Sequence, residues 1–308
     1  MKKIYITGLA GMLGSNLAYL LKNEYEIYGC DRNALDHMEG VCGTVFDIAK
    51  EGLLEQELLR IRPDVIINTA ALVNVDGCEQ DLLMAENMNA KLPERIRKVC
   101  EHIGAHLIQI STDAVYQDTE GVLHKEEDAI GPKNEYAKTK YEGELCVQDY
   151  PMTTVIRTNI YGFNMRDKCS FGEWILKALQ SGTELNMVED VKFSPILVND
   201  LSAVIRKIIE QQVYGLYNVC ATGGISKYEF GIYMREVFDY PEAVIHKITS
   251  EQLHLKAPRS KNMAMDNQKI CEKLQMKIRT PRESIEEFKR LYEEGYARKI
   301  KAFGGYQS

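Results

Sequence analysis

Residues 7–14 read Thr7-Gly8-Leu9-Ala10-Gly11-Met12-Leu13-Gly14, and this stretch decides the fold. It completes an apolar run at residues 4–7 and opens a helical pattern at residues 12–22. Glycine is needed where a chain turns tightly, where the backbone approaches a pyrophosphate, and where a helix packs closely on a strand. The spacing therefore predicts a dinucleotide-binding turn in which Gly8, Gly11, Met12, Leu13 and Gly14 contact the cofactor. A glycine-rich turn without a ligand is the alternative.

Beyond this turn, short apolar runs alternate with helical patterns up to about residue 160. The runs predicted to be buried strands are residues 4–7, 26–30, 44–46, 64–68, 106–111 and 153–157. Amphipathic segments between them, at residues 12–22, 82–102 and 136–148, are long enough to be helices. Repeated strand, helix, strand units predict a parallel sheet covered on both faces, which is a doubly wound Rossmann α/β fold.

The ends of the second and third predicted strands provide four candidate residues for contacts with the adenosine end of the cofactor. Asp31 ends the second strand, where a carboxylate can accept both ribose hydroxyls of NAD and would repel the 2'-phosphate of NADP. Arg32 follows it and could pair with that phosphate, or be an ordinary solvated arginine. Asp47 and Ile48 are placed to meet the adenine, although Asp47 is equally suited to a loop. The choice between NAD and NADP stays open.

The pattern changes after residue 160, where helices dominate and strands are isolated. We expect an NAD(P)-binding Rossmann domain at 1–160 and a smaller mixed α/β substrate-binding domain at 161–308, with segments near 195–225 returning to the first domain. Residues 189–195 and 257–263 are predicted to be ordered loops. Thr280, Pro281 and Glu283 predict the start of the last helix, as N-cap, first-turn proline and capping-box acid.

Charge and cysteine usage limit the partners and the compartment. The chain has 38 basic and 45 acidic side chains and a formal net charge of -7, which argues against nucleic acid or membrane surfaces as partners. The eight cysteines and six histidines show no metal-ligand spacing, so no metal site is expected. We find no secretory leader pattern and no apolar run of roughly 18 residues that could span a bilayer. A reduced, cytoplasmic location is therefore expected.

Tyr136 and Lys140 are four residues apart in a helical segment, so both side chains project from one face. A phenol is a poor acid or base at neutral pH, and a neighbouring ammonium favours its ionised form. Upstream, Ser111-Thr112-Asp113 closes the fifth predicted strand at the carboxyl edge of the sheet, where ligands bind. The Thr112 hydroxyl could hold a reacting oxygen beside Tyr136, a group suited to acid-base work on a carbonyl or alcohol.

Several segments together resemble the extended short-chain dehydrogenases/reductases. They are residues 7–14, Asn68-Thr69-Ala70-Ala71, Ser111-Thr112-Asp113 and Tyr136-Ala137-Lys138-Thr139-Lys140. More narrowly, residues 63–71, 110–115, 136–144, 156–162 and 259–266 are similar to the family of dTDP-4-dehydrorhamnose reductase. The resemblance covers nearly the whole chain.

Roles for individual residues follow from this resemblance. It implies Thr112 as the hydroxyl that orients the oxygen, Tyr136 as proton donor, and Lys140 as the residue that lowers the tyrosine pKa and holds the nicotinamide ribose. It also places Ala70 and Ala71 at the cofactor. Asn89 falls where the family has a structural asparagine near the cofactor channel, and a buried amide with satisfied hydrogen bonds is the alternative.

Departures from the family pattern concern the substrate. Ser260 replaces a proline, Met263 a serine, and Ile196 stands where a Pro-Thr pair usually continues, so a different sugar, or no sugar, stays open. Ala114 stands where an aromatic residue is usual, and also where the sugar-nucleotide dehydratases of the superfamily have glutamate. Similar epimerases commonly carry Ser-Ser-Ala in place of Ser-Thr-Asp. Reduction is therefore the best fit.

A nucleotide-sugar substrate would need cations to bind its pyrophosphate. Arg259 is the preferred candidate, because the arginine fork suits phosphate; Lys192 and Lys261 are weaker. Trp174 could stack on a nucleobase, although a single aromatic side chain on a helix is more often part of a core. For each cation the alternative is a solvated surface charge.

Three functions are consistent with these residues. The first is an NAD(P)-dependent reductase of a nucleotide-linked 4-keto sugar, with Tyr136 protonating the oxygen. The second is a regulatory subunit that uses the fold to bind a partner, because the β subunit of methionine adenosyltransferase also resembles this family. The third is an epimerase that retains NAD. Intact Thr112, Tyr136 and Lys140 favour reduction, and a homodimer is expected.

Overall fold

The computed structural model describes residues 1–33, 35 and 38–306. Its centre is a seven-stranded sheet in which every strand pair is parallel. With all strands numbered in chain order, those of this sheet are β1 (Lys3–Thr7), β2 (Glu26–Asp31), β3 (Val41–Val45), β4 (Val65–Asn68), β5 (His106–Ile110), β6 (Thr153–Arg157) and β11 (Gly215–Asn218). The predicted Rossmann fold is confirmed.

The strands lie in the order β11-β6-β5-β4-β1-β2-β3. The direction of winding reverses between β1 and β4, whose last residues Thr7 and Asn68 are paired. Ligands of such sheets bind outside the carboxyl ends of the strands at this reversal. The glycine turn that follows β1 therefore lies where a cofactor is expected.

Two apolar cores cover the two faces of the sheet. Because side chains alternate along a strand, Ile4 and Ile6 point into one core and Tyr5 into the other. The predicted strand at 44–46 needs a correction, since β3 is at the edge of the sheet and its residues are mostly exposed. Val45, for example, is 52% exposed. The prediction of a strand here is therefore right, but the prediction that it is buried is wrong, because the strand lies at the sheet edge.

Helices pack on both faces of the sheet. In the first part of the chain they are α1 (Met12–Leu21), α2 (Leu53–Ile61), α3 (Val75–Gln80), α4 (Leu82–Glu86), α5 (Leu92–Ile103) and α6 (Glu135–Val147). The long helix predicted at 82–102 is α4 and α5 joined by a π-helical turn at Asn87–Lys91. That turn contains Asn89, and π-helical turns of this kind are frequent at functional sites.

The second part of the chain is a mixture of helices and short strands. Its helices are α7 (Phe171–Ser181), α8 (Val198–Gln211), α9 (Lys227–Val237), α10 (Gln268–Leu274), α11 (Pro281–Glu293) and α12 (Tyr296–Phe303). Its short strands are β7 (Ile160–Tyr161), β8 (Leu185–Val188), β9 (Lys192–Phe193), β10 (Ile196–Leu197), β12 (Ile225–Ser226), β13 (Ile245–Ile248) and β14 (Asn262–Met263).

Two expectations for this part are corrected. The segments at 189–195 and 257–263 are not only loops, because β9 and β14 pair in parallel within them. The helix that begins at Thr280 has the predicted capping box, but α12 follows it, so α11 is not the last helix. Among the described residues, no helix has the length and apolar character needed to span a membrane.

Candidate active site

The glycine turn has the geometry that a pyrophosphate requires. Gly8 has a φ of 66°, and a side chain there would lie within 3.2 Å of the backbone of Ala70. A Cβ on Gly14 would lie 2.4 Å from the Gly8 carbonyl oxygen, so only glycine lets α1 approach β1 so closely. Gly11 caps α1 and is exposed. Met12 and Leu13 form the first turn of that helix. These residues fit the phosphate groups of a dinucleotide.

Hydrogen bonds hold the end of β4 beside this turn. The Thr7 hydroxyl donates to Asn68 Oδ1 at 2.6 Å and accepts from the backbone N–H of Ala70 at 3.2 Å. Ala70 and Ala71 are both partly exposed along the same edge. The structure thus brings the two alanines next to the predicted cofactor loop.

Asp31 lies at the end of β2, close to the glycine turn. Its Oδ2 accepts from the backbone N–H of Ala10 at 3.0 Å, and its Oδ1 accepts from the backbone N–H of Asn33, also at 3.0 Å. Arg32 is exposed next to it. From the second part of the chain, Arg166 donates to the side-chain oxygen of Asn33 at 3.2 Å. Two arginines therefore flank the end of β2.

Asp47 and Ile48 follow β3 in a short turn. The Asp47 carboxylate accepts from the backbone N–H of Ala49 at 3.0 Å and is exposed. Ile48 is partly buried against the core on that face. Both lie beyond the carboxyl end of β3, and the backbone N–H of Phe46 bonds to the Asp31 carbonyl at 3.0 Å.

Thr112, Tyr136 and Lys140 come together at the carboxyl end of β5. The Asn134 side chain caps α6 by accepting from the backbone N–H of Ala137 at 2.9 Å, which fixes the first turn that carries Tyr136. The Thr112 hydroxyl lies close enough to the Tyr136 phenol to influence its pKa. One turn further, the buried ammonium of Lys140 donates to the Ile110 carbonyl at 2.6 Å.

Burial shifts the pKa values of Tyr136 and Lys140. Burial raises the pKa of Tyr136 to about 12, and the nearby Thr112 hydroxyl acts against that rise. Burial lowers the pKa of Lys140 to about 8. In this structure the Lys140 ammonium is bound by the Ile110 carbonyl, and its role in lowering the tyrosine pKa, which the resemblance implies, stays a prediction.

Asp113 and Asn159 also belong to this group, although the sequence pattern assigns them no role. Asp113 is buried and accepts from Thr112 Oγ1 at 3.1 Å and from Asn159 Nδ2 at 2.6 Å. Burial raises the pKa of its carboxyl to about 6. Asp113 is part of the Ser-Thr-Asp segment at the end of β5, so its position could be predicted, but Asn159 carries no local signal.

Asn89 connects the cofactor edge to α6. Its side chain accepts from the backbone N–H of Leu72 at 2.9 Å and donates to the Leu72 carbonyl and the Thr139 hydroxyl, each at 3.1 Å. The amide is therefore buried and fully satisfied. Of the two interpretations of Asn89, the geometry favours that of a buried amide with satisfied hydrogen bonds.

The predicted substrate residues are found in three different environments. Arg259 is partly buried and pairs with Asp76 at 3.1 Å. Trp174 is 44% exposed on α7 and stacks on Phe171, with ring centroids 5.9 Å apart. Lys192 lies on the surface, where its ammonium pairs with Glu229 at 2.8 Å.

Comparisons with known proteins agree with this geometry. Residues 1–293 match the family model described as RmlD substrate binding domain. The chain is 29% identical over 294 residues to the spore coat polysaccharide biosynthesis protein SpsK of Bacillus subtilis (strain 168), covering 94% of this chain and 97% of that protein. It is also 29% identical over 290 residues to methionine adenosyltransferase 2 subunit beta of Xenopus laevis, covering 91% and 84%.

Among solved structures, a similar one is dTDP-4-dehydrorhamnose reductase (rfbD) from Bacillus anthracis str. Ames in complex with NADP. The TM-score is 0.83 at 28% sequence identity, covering 94% of this chain and 99% of that one. The resemblance based on the glycine turn and the Tyr136–Lys140 pair is thus confirmed. Because the family model spans 293 of the 308 residues, the chain belongs to the RmlD substrate-binding domain family.

Proposed function

We propose that this protein is an NAD(P)-dependent reductase of a nucleotide-linked 4-keto sugar. The observation that carries the proposal is the meeting of Tyr136, Thr112 and Lys140 at the sheet edge beside the glycine turn. Similarity to a reductase of this kind, solved with NADP, supports it. When bound, the reduced nicotinamide supplies the hydride.

Each residue of the group has a separate task in this proposal. Tyr136 donates a proton to the carbonyl oxygen as that oxygen gains charge, and Thr112 hydrogen-bonds the same oxygen. The high pKa of Tyr136 keeps the phenol protonated at neutral pH, as a proton donor requires. Lys140 holds the nicotinamide ribose. Gly8, Gly11, Met12, Leu13 and Gly14 bind the pyrophosphate, and Asp31, Arg32, Asp47, Ile48, Ala70 and Ala71 line the rest of the cofactor site.

Turnover of a substrate panel tests this function. The parent chain is given NADH or NADPH with dTDP-, UDP- and GDP-linked 4-keto sugars, and loss of reduced nicotinamide is followed. We expect at least one sugar to be reduced, and Tyr136→Phe to lower kcat by about 10²–10⁴-fold. Tyr141→Phe is the matched control, because Tyr141 lies on the same helix. Equal turnover by Tyr136→Phe and the parent would show that the assigned mechanism is wrong.

A partner-binding function is the second candidate. It is favoured by the similarity to methionine adenosyltransferase 2 subunit beta, which is as close in sequence as SpsK. A parent chain that binds NAD(P) but reduces none of the sugars would favour this alternative. An epimerase would instead return an isomerised sugar with no net loss of reduced cofactor.

We also propose a domain division at 1–160 and 161–308, a homodimer, and a cytoplasmic location. The division is supported by the glycine turn and six of the seven sheet strands in the first part, while β11 and α8 return from the second.

Free thiols at all eight cysteines support the cytoplasmic location. Sedimentation of the purified chain tests the dimer.

A further inference from the structure

Lys227 carries an ammonium group whose charge interacts with Asp113 of the candidate active site. It is the first residue of α9, and its backbone N–H donates to the Val191 carbonyl at 3.1 Å. The preceding strand β12 pairs with β9, which in turn pairs with β14, three residues after Arg259. Lys227 and the segment that carries Arg259 therefore belong to the same small sheet, on either side of β9.

The surroundings of this ammonium offer it little compensation. Its Nζ lies 5.9 Å from the centroid of the Phe171 ring. Across residues 1–33, 35 and 38–306, no hydrogen bond or ion pair to Nζ is formed. Asp113 and Arg259 are the charged groups that act on it, with opposite signs. Lys227 is therefore within the electrostatic range of both the catalytic group and the arginine.

Three effects disfavour a positive charge at this position. Burial lowers the pKa of Lys227, and the neighbouring charge of Arg259 lowers it further, whereas Asp113 raises it. The N-terminus of an α-helix also carries a partial positive charge, so a cation in its first turn is unfavourable. An ammonium in this position is stabilised when an anion binds beside it.

Resting on the proposed function, we propose that Lys227 binds a phosphoryl oxygen of the substrate diphosphate, together with Arg259, whose partly buried guanidinium also pairs with Asp76. The substrate brings two phosphate groups, and the chain as a whole is negatively charged, so such cations must be placed locally. Lys192 differs from Lys227 in this respect. It belongs to the same small sheet, but its ammonium is already bound by Glu229 on the surface.

Calorimetric titration tests the inference. The parent, Lys227→Gln and Lys227→Arg are titrated with dTDP, UDP, GDP and inorganic pyrophosphate. We expect Lys227→Gln to weaken the preferred diphosphate by about 10–100-fold, and Lys227→Arg to restore part of the loss. Lys247→Gln is the matched control: Lys247 also lies over an aromatic ring, Tyr228, but is exposed and paired with Glu189. We expect no more than about a twofold change for it.

The outcomes separate this inference from the proposed function. Equal diphosphate affinity in Lys227→Gln and the parent overturns the inference, even if the parent reduces a sugar nucleotide. A parent that binds no diphosphate and no pyrophosphate overturns it as well. Binding that depends on Lys227, in a chain that reduces no 4-keto sugar, supports the inference and contradicts the proposed function.

Discussion

Glu144 and Arg157 form a buried ion pair directly behind the candidate active site, with Arg157 Nη2 2.6 Å from Glu144 Oε2 and Nε 3.0 Å from Oε1. Glu144 lies one turn after Lys140 on α6 and also accepts from the Ser111 hydroxyl at 2.5 Å. Arg157 ends β6. The pair therefore links α6 to β6, and the bond from Ser111 links it to the end of β5, which Thr112 follows.

Removal of one partner should be more costly than removal of both. Arg157→Met or Glu144→Met leaves a buried charge without its partner, which costs about 3–5 kcal/mol of unfolding free energy. The double variant should lose no more than either single one. Urea denaturation measures all three.

An exposed ion pair provides the control for that cycle. Arg206 and Glu24 are nearly half exposed, and Arg206→Met should cost less than about 1 kcal/mol. Additive losses for Glu144 and Arg157 would show that the buried pair is not coupled.

Asp113→Asn should stabilise the protein at neutral pH. The folded-state pKa of Asp113 is raised from 3.8 to about 6, so the folded protein binds more protons than the unfolded chain between these values. The carboxyl therefore reduces stability progressively as the pH rises from about 4 to about 6, and by a constant amount above. The gain in Asp113→Asn should grow over that window and reach at most about 3 kcal/mol.

Denaturation at several pH values tests this prediction. Asp118→Asn is the opposite control, because Lys133 and the backbone N–H groups of Lys261 and Asn262 hold the pKa of Asp118 below its usual value. That variant should be less stable than the parent at neutral pH, with a smaller difference in acid. A loss of stability in Asp113→Asn above pH ~6 would contradict the assignment.

Activity should decline in alkaline solution as Lys140 loses its proton. Burial lowers the pKa of this ammonium to about 8, so cofactor affinity and kcat/KM should fall as the pH rises through that value. Lys140→Arg stays charged, because arginine is not deprotonated in this range. Its activity should be lower overall but flat, and a parent profile that is also flat to pH ~10 would exclude Lys140 as the titrating group.

Asp31→Asn should shift cofactor preference toward NADPH. A carboxylate at the end of β2 repels a 2'-phosphate, while Arg32 and Arg166 are placed on either side of Asn33 to attract it. We expect the NADPH to NADH affinity ratio to rise roughly tenfold, measured by nicotinamide fluorescence.

Glu26→Gln serves as the control for that variant. It removes the same charge from the opposite end of β2. An equal change in both variants would mean that the effect comes from net charge rather than from the position of Asp31.

Local patterns made much of the fold predictable. The glycine turn, the four-residue spacing of Tyr136 and Lys140, and the capping box at Thr280 each depend on neighbours within one strand, turn or helix. Features created by distant parts of the chain could not be predicted in this way. Asn159 reaches Asp113 because β6 lies beside β5, and Lys227 joins the small sheet that also holds β14 because β12 pairs with β9.

The electrostatics were the least predictable part of the site. The spacing of Tyr136 and Lys140 indicated a shared helix face, but the direction of the ammonium depends on where β5 ends. The Ile110 carbonyl binds it, a contact that the four-residue spacing does not predict. Burial of Asp113, which raises its pKa, likewise depends on the packed structure.

Because of the π-helical turn at Asn87–Lys91, the effect of deleting one residue from this helix depends on where the residue is removed. Such a turn accommodates one extra residue while the helical segments on either side keep their phase. Deletion of one residue within it would close an ordinary turn and leave Leu92 and Ile96 facing the core, whereas a deletion later in α5 would rotate the remainder of that helix by about 100°. Within this helix, a one-residue deletion is therefore best tolerated in the π-helical turn, where it would remove the Asn89 link between the cofactor edge and α6.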